Sequence, residues 1–181
     1  EFGVRGTLEG WKANMEFYNH PGMELHQLMQ LASFGSVLMH ASPVNCASMH
    51  VWSKDSGYGK TTAFYSALSA WGKPKGLIMN NEDTLNAKMH RADVYHNIPV
   101  FLDEITNMKG EDLSSLAYQL TGGKQKDRMV SGSNQTRHRG MEWKLLAVTN
   151  GNAGFVDKVS AFKSQPKAEL QRVLDVEVDK F

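Results

Sequence analysis

Ser53-Lys54-Asp55-Ser56-Gly57-Tyr58-Gly59-Lys60-Thr61-Thr62 is the most informative stretch of this 181-residue sequence. The apolar run 47–52 precedes it and predicts a short strand, and a helical pattern over 61–71 follows it. Glycines let the backbone of such a loop curl until successive N–H groups point inward, and a helix N-terminus adds positive potential. A loop of this composition between a strand and a helix is typical of a site that binds nucleotide phosphates.

Two residues of this loop carry the expected chemistry. Lys60 should reach the β- and γ-phosphates, and Thr61 should supply a hydroxyl to Mg²⁺. The usual pattern, G-x-x-x-x-G-K-T, has glycine at its first position, where this sequence has Lys54. The glycines nearest the phosphates are kept, so we interpret the stretch as a variant phosphate loop rather than a plain Gly-rich turn. The residues predicted to bind ATP are Ser56, Gly57, Tyr58, Gly59, Lys60, Thr61 and Thr62.

Polar residues also end two later apolar runs. Asp103 and Glu104 follow the run 98–102, where Asp103 would hold Mg²⁺ through water and Glu104 would orient the attacking water. An Asp-Glu pair at a strand end is more often only solvated, and the phosphate loop is what favours the catalytic interpretation. Asn150 ends the next run, 145–148, and is predicted to touch the γ-phosphate and the water. An asparagine followed by glycine is also a strong turn signal.

Strand and helix patterns alternate along most of the chain. Residues 1–45 have a helical pattern and are predicted to pack on a core formed by residues 46–181. Further helices are expected over 84–96 and 110–120, and a fourth strand over 173–178. This alternation predicts an α/β fold, a three-layer P-loop NTPase with a central, largely parallel sheet.

The composition is that of an ordinary globular protein, with 41% hydrophobic and 22% charged residues. A net charge of +1 excludes attraction of the whole surface to nucleic acid but leaves room for a local basic patch. No apolar run is long enough to span a membrane, and no signal peptide opens the chain. The single cysteine, Cys46, fits a reducing compartment, so we expect a cytoplasmic protein in a bacterium or a phage-infected host cell, without a membrane partner.

The order of these elements resembles the AAA+ branch of P-loop ATPases. Several shorter elements look like the helicase-like family of phages, plasmids and chromosomal cassette elements, whose members are predicted replicative helicases. The resemblance covers residues 30–178. The elements that carry it are Ala70-Trp71-Gly72-Lys73-Pro74, Phe101-Leu102-Asp103-Glu104, Ala117-Tyr118, Gly122-Gly123-Lys124-Gln125-Lys126, Arg128 and Glu142-Trp143-Lys144-Leu145-Leu146.

This resemblance implies an AAA+ core of the ASCE type that hydrolyses ATP and assembles as a ring, with a hexamer as the expected size. In such rings an arginine of one subunit reaches the γ-phosphate bound by its neighbour. Arg172 stands where these families carry that arginine, and Arg128, Arg137 and Arg139 compete for the role. The helical lid of such motors is expected to be absent or truncated.

The segment 122–140 is polar and basic, and residues 129–134 could turn a hairpin. The resemblance implies a hairpin that grips the backbone of DNA, most plausibly single-stranded, through contacts indifferent to base sequence. The plainer alternative is a solvated basic loop. The residues predicted to bind DNA are Lys124, Lys126, Arg128, Arg137 and Arg139.

Three functions fit these patterns. The first is the ATP-hydrolysing motor core of a phage or mobile-element replicative DNA helicase. The second is a nucleotide-dependent switch or loader that binds DNA without translocating, and directional unwinding by the full-length protein would separate it from the first. The third is a small-molecule phosphotransferase, which the acidic pair and the basic segment disfavour.

Overall fold

The computed structural model describes residues 2–124, 142–162 and 167–178. Within them the strands are β1 (Cys46–Trp52), β2 (Val100–Leu102), β3 (Leu145–Gly151) and β4 (Val173–Glu177). The helices are α1 (Leu8–Glu16), α2 (Glu24–Leu38), α3 (Lys60–Leu68), α4 (Pro74–Leu77), α5 (Leu85–Tyr95), α6 (Gly110–Thr121), α7 (Phe155–Phe162) and α8 (Lys167–Leu170).

The four strands form one parallel sheet in the order β2-β3-β1-β4. The predicted parallel α/β sheet is therefore confirmed. Because β3 lies between β1 and β2, the strand before the phosphate loop and the strand before the acidic pair are separated by the strand that ends at Asn150. All strands run in one direction, so their carboxyl ends meet at one edge, where ligands bind in folds of this kind.

The sequence patterns missed a short extension of the sheet at Met79. This residue forms an isolated parallel bridge with Leu102. The Met79 N–H donates to the Phe101 carbonyl at 2.9 Å, and the Asp103 N–H donates to the Met79 carbonyl at 2.9 Å. A single paired residue gives no alternation of apolar and polar side chains, so its sequence carries no strand signal.

Helices cover both faces of the sheet. Directly paired residues of parallel strands share a face, so Phe101 and its partner Val148 point the same way. The Phe101 ring meets Phe64 of α3, with centroids 4.8 Å apart. On the opposite face, His50 of β1 lies 6.2 Å from the ring of Phe155 in α7. The result is the three-layer arrangement that the sequence predicts.

The predicted helix over 61–71 is shorter in the structure. It begins one residue earlier, at Lys60, and ends at Leu68. Beyond this point the Trp71 N–H bonds back to the Leu68 carbonyl at 2.9 Å, a tight turn. The Trp71 indole donates to the Ser33 hydroxyl at 2.6 Å, which fixes the turn against α2.

Helix α2 packs on the core of the sheet. Leu25, Met29 and Ala32 of α2 are buried in the same hydrophobic cluster as the strands. The Ser36 hydroxyl of α2 accepts a hydrogen bond from the Leu146 N–H of β3 at 3.0 Å. A separate unit with a boundary at residue 45 stays a prediction. No helix in the described part of the chain is both long and apolar enough to cross a bilayer.

Candidate functional site

The phosphate loop connects the carboxyl end of β1 to the amino end of α3. Gly57 and Gly59 have φ angles of 90° and 79°, a conformation that costs a residue with a side chain about 1–2 kcal/mol. Gly59 caps α3, and its carbonyl accepts the Ala63 N–H at 2.8 Å. The first N–H groups of α3 therefore lie at the loop without helical partners, which is how helix N-termini bind anions.

Lys60 lies at the centre of the site. Its side chain is only 7% exposed. The ammonium donates to the Ser53 hydroxyl at 2.5 Å and lies 3.5 Å from the Asn152 amide oxygen. Burial lowers the pKa of Lys60, while the carboxylates of Glu104 and Asp103 act in the opposite direction. A buried ammonium held mainly by neutral oxygens gains by meeting a phosphate, because an anion compensates its lost hydration.

Thr61 and Asp103 are brought together as the sequence predicts. The Thr61 hydroxyl donates to Asp103 Oδ1 at 3.1 Å. A hydroxyl and a carboxylate are hard oxygen ligands that suit Mg²⁺, which commonly completes its shell with phosphate and water. Among the described residues no group of three or more His, Cys, Asp and Glu side chains could hold a metal ion. A nucleotide's phosphates would therefore have to supply further ligands.

Asn150 links the two acidic residues. It is 1% exposed. Its amide nitrogen donates to Asp103 Oδ1 at 2.6 Å, and its amide oxygen accepts the Glu104 N–H at 2.7 Å. The Asn150 amide thereby fixes the turn formed by Asp103 and Glu104, which we call the acidic turn. Its predicted contact with a γ-phosphate stays a prediction.

Glu104 has an unusual backbone. Its φ and ψ are 57° and 37°, the left-handed region, which for a residue other than glycine costs about 1–2 kcal/mol. The Asn150 amide oxygen holds the N–H of this residue, and the carboxylate lies 3.4 Å from the Asn107 amide nitrogen. Because of this left-handed conformation, the Glu104 side chain leaves the backbone in a different direction from that of a residue in an extended strand.

The other predicted ATP-binding residues lie along the same loop. Ser56 and Gly57 are exposed, Tyr58 is half-buried, and Thr62 is exposed on the first turn of α3. They are accessible to a ligand.

Three contacts of the loop were missed by the sequence analysis. Ser53 holds the lysine, and Asn152 faces it from the end of β3. His26 of α2 packs against Gly59, where an added Cβ would lie 3.3 Å from the imidazole Cε1, and it stacks on Tyr18 at 4.8 Å. Only Ser53 had a usable signal, as a hydroxyl at the strand end next to the loop. Asn152 and His26 have no sequence pattern that relates them to Lys60.

Arg172 lies at the surface, in the turn before β4. Its Nη1 donates to the Ala168 carbonyl at 2.6 Å, and its guanidinium lies 4.5 Å from the ring centroid of Tyr118 in α6. These contacts are with its own subunit and not with Lys60 or Asp103. An exposed guanidinium remains compatible with a role in a neighbouring subunit, which stays a prediction.

Most of the predicted DNA-binding residues lie outside the described residues, namely Lys126, Arg128, Arg137 and Arg139. Lys124 is described and exposed. It forms an isolated antiparallel bridge with Glu142, and the Trp143 N–H donates to the Gly123 carbonyl at 2.9 Å. Glu142 lies just before β3, so this bridge is at the amino edge of the sheet, opposite the phosphate loop.

The fold and the loop together define a protein with a P-loop NTPase-like fold. The chain belongs to the family described as "Domain of unknown function (DUF927)", whose model matches residues 1–139. No curated protein matches the sequence.

Two solved structures share the fold. One is described as "SCCmec type IV Cch - active helicase", with a TM-score of 0.67, 20% identity, and coverage of 100% of this chain and 33% of that one. Another is NtrX from Brucella abortus in complex with ADP, with a TM-score of 0.51, 14% identity, and coverage of 89% and 36%. The chain thus spans about a third of the length of each of these proteins.

Proposed function

We propose that this chain is the ATP-hydrolysing core of a DNA helicase of a phage or mobile element. The observation that carries the proposal is the meeting of Thr61 with Asp103, at 3.1 Å, beside the buried ammonium of Lys60. Phosphate-binding and metal-binding groups thereby converge from two strands that are not neighbours. A Gly-rich turn without function would not need this arrangement.

Each residue then has a defined role. The loop N–H groups and Lys60 bind the β- and γ-phosphates. Thr61 and Asp103 would hold Mg²⁺, which supplies positive charge against the phosphate oxygens when bound. Glu104 orients a water molecule and accepts its proton while the water oxygen attacks the γ-phosphorus. The bond to the β-phosphate oxygen breaks, which leaves ADP and inorganic phosphate.

The proposed action on DNA rests on two observations. The basic residues between Lys124 and Lys144 give the chain a local positive segment, which suits sequence-independent contacts with phosphates. The Cch protein that shares the fold over this whole chain is described as an active helicase. We infer single-stranded DNA as the partner and a ring, expected to be a hexamer, as the working form.

In a ring, Arg172 would reach the neighbouring nucleotide. Its guanidinium would neutralise charge that develops on the γ-phosphate in the transition state. The stacking on Tyr118 would hold the guanidinium at the surface, facing outward.

The test is steady-state phosphate release over a range of protein concentrations, with and without single-stranded DNA. Hydrolysis that rises with both supports a motor whose sites are completed between subunits. Hydrolysis that ignores both contradicts the motor and favours a monomeric enzyme. ATP-dependent DNA binding by the full-length protein, without directional unwinding of a forked duplex, would favour the switch or loader instead. A requirement for an added acceptor molecule would favour the phosphotransferase.

A further inference from the structure

Two asparagines lie at the carboxyl end of β3, Asn150 in the strand and Asn152 just after it, and only the side chain of Asn150 bonds to Asp103 and Glu104. Both ends of the Asn150 amide bond to the acidic turn, its nitrogen to the Asp103 carboxylate and its oxygen to the Glu104 N–H. Asn150 is 1% exposed, so almost none of its amide is left open to a phosphate. The neighbouring asparagine is under no such constraint.

Asn152 is exposed at the same edge of the sheet. Its amide oxygen lies 3.5 Å from the Lys60 ammonium, the group expected to bind the terminal phosphates. Whatever phosphate the ammonium meets therefore lies close to this amide, whose nitrogen can donate to a phosphate oxygen. We propose that Asn152 contacts the terminal phosphate of the bound nucleotide and that His50 positions it. This inference rests on the proposed nucleotide-binding function.

The backbone that carries Asn152 is fixed from three directions. The Asn152 N–H donates to the Thr106 hydroxyl at 3.1 Å. The next residue, Ala153, accepts at its carbonyl from His50 Nε2 at 3.0 Å. Gly154 is packed closely, since an added Cβ would lie 3.2 Å from both the Trp52 ring and the Asp175 carboxylate. The rigid backbone holds the Asn152 side chain at a constant position, which a contact with a phosphate requires.

The hydrogen-bond partners of His50 define its tautomer. A carbonyl oxygen only accepts, so Nε2 carries a hydrogen. Nδ1 lies 2.8 Å from the Thr149 hydroxyl, whose single hydrogen can go to Nδ1 or to the Met49 carbonyl at 3.2 Å; in the first case Nδ1 accepts and the ring is neutral. His50 is fully buried, and burial lowers its pKa, which agrees with a neutral ring despite the nearby Asp175. His50 is thus a neutral side chain that connects β1 to the segment that carries Asn152.

The experiment compares the affinities of ATP and ADP by calorimetry, because only ATP has the terminal phosphate. Asn152→Ala should weaken ATP binding about tenfold, the effect of one hydrogen bond to a charged group, and should leave ADP binding within about twofold. The matched control is Asn14→Ala, an exposed asparagine of α1, which should change neither affinity.

Three further variants test the positioning role. His50→Gln keeps an N–H donor near the place of Nε2, so it should retain the preference for ATP over ADP, and His50→Leu should lose it. Thr106→Val removes the hydroxyl anchor at similar volume and should also reduce the preference. This variant tests the anchoring independently of whether His50→Leu folds.

The outcomes separate the two claims. A wild-type protein that binds neither ATP nor ADP overturns the proposed function and this inference together. A wild-type protein that binds both, with Asn152→Ala weakening both equally or neither, overturns the inference and leaves the function standing. An unchanged ATP preference in both His50→Leu and Thr106→Val overturns the positioning role.

Discussion

At the scale of single residues, Glu104 carries backbone strain within the candidate site. A glutamate with φ of 57° is held there by the Asn150 amide, which accepts its N–H. Strain of this kind persists where contacts with the surrounding structure hold the residue in the unfavourable conformation. The stability of the fold and the activity of the site should therefore respond in opposite directions when this side chain is removed.

We expect Glu104→Gly to abolish ATP hydrolysis without lowering the free energy of unfolding. Relief of the left-handed strain is worth about 1–2 kcal/mol, and the extra freedom of glycine in the unfolded chain offsets about 0.5–1 kcal/mol of it. Urea unfolding measures the balance. The control is Glu111→Gly in α6, which should lose up to about 1 kcal/mol as a glycine in a helix. A loss at Glu104→Gly as large as the control's would contradict the strain.

At the scale of elements, the end of β3 lies very near the turn after the acidic pair. A Cβ at Gly151 would clash with the side chain of Thr106. This contact keeps the ends of β2 and β3 together. Position 151 requires glycine because there is no room for a Cβ, and not because of its φ angle.

Gly151→Ala should therefore lower the free energy of unfolding by about 1–3 kcal/mol, as overpacking does. The matched control is Gly35→Ala in α2, where an added Cβ lies 3.5 Å from Leu146, an ordinary contact. Alanine there should raise stability by up to about 1 kcal/mol, because it favours a helix. Thermal unfolding of the two variants gives the comparison, and equal shifts would contradict the packing argument.

Stability should also depend on pH through His50. Its pKa is lowered in the fold from an ordinary value of 6.5, so the unfolded chain binds the proton more tightly. The contribution of this residue is complete above about pH 6.5 and is lost as the pH falls below it. His26, whose pKa burial also lowers, adds to the same slope.

His50→Gln should make the loss of stability between pH 7 and pH 5 shallower, measured by urea unfolding at each pH. The exposed His40 offers the control, since His40→Gln should leave the slope as it is. If the free energy of unfolding of His50→Gln changes with pH as steeply as that of the wild type, the prediction that His50 is buried and neutral is contradicted.

Much of the fold follows from the sequence, and the reasons differ by element. The positive φ angles of Gly57 and Gly59 and the start of α5, where the Thr84 hydroxyl accepts the Ala87 N–H at 3.2 Å, follow from local signals. The bridge at Met79 and the contacts of Asn152 depend on which strands become neighbours. No local pattern encodes that, so they could not be predicted.

At the scale of the whole molecule, the two proposed functions would lie at opposite edges of one sheet. The proposed nucleotide site is at the carboxyl edge, and the bridge between Lys124 and Glu142 is at the amino edge. The proposed assembly adds a third surface around the exposed Arg172. If subunits complete each other's sites, this surface should matter for hydrolysis and not for ATP binding.

We expect Arg172→Ala to lower the rate of ATP hydrolysis at least about 100-fold, because an arginine acting between subunits is worth this much or more. ATP affinity at low protein concentration should be unchanged. Arg5→Ala, an exposed arginine near the N-terminus, is the control. Full hydrolysis by Arg172→Ala at high protein concentration would remove this residue from the proposed role and leave the other arginines as candidates.

The most direct test of the central claim is to measure ATP binding and ATP hydrolysis by Glu104→Gln beside the wild type, with Glu111→Gln as the matched control. The amide keeps the size of the side chain but cannot take a proton from water. We predict ATP affinity within about twofold of the wild type and hydrolysis lower by about 100-fold or more. Wild-type hydrolysis by Glu104→Gln would contradict the account.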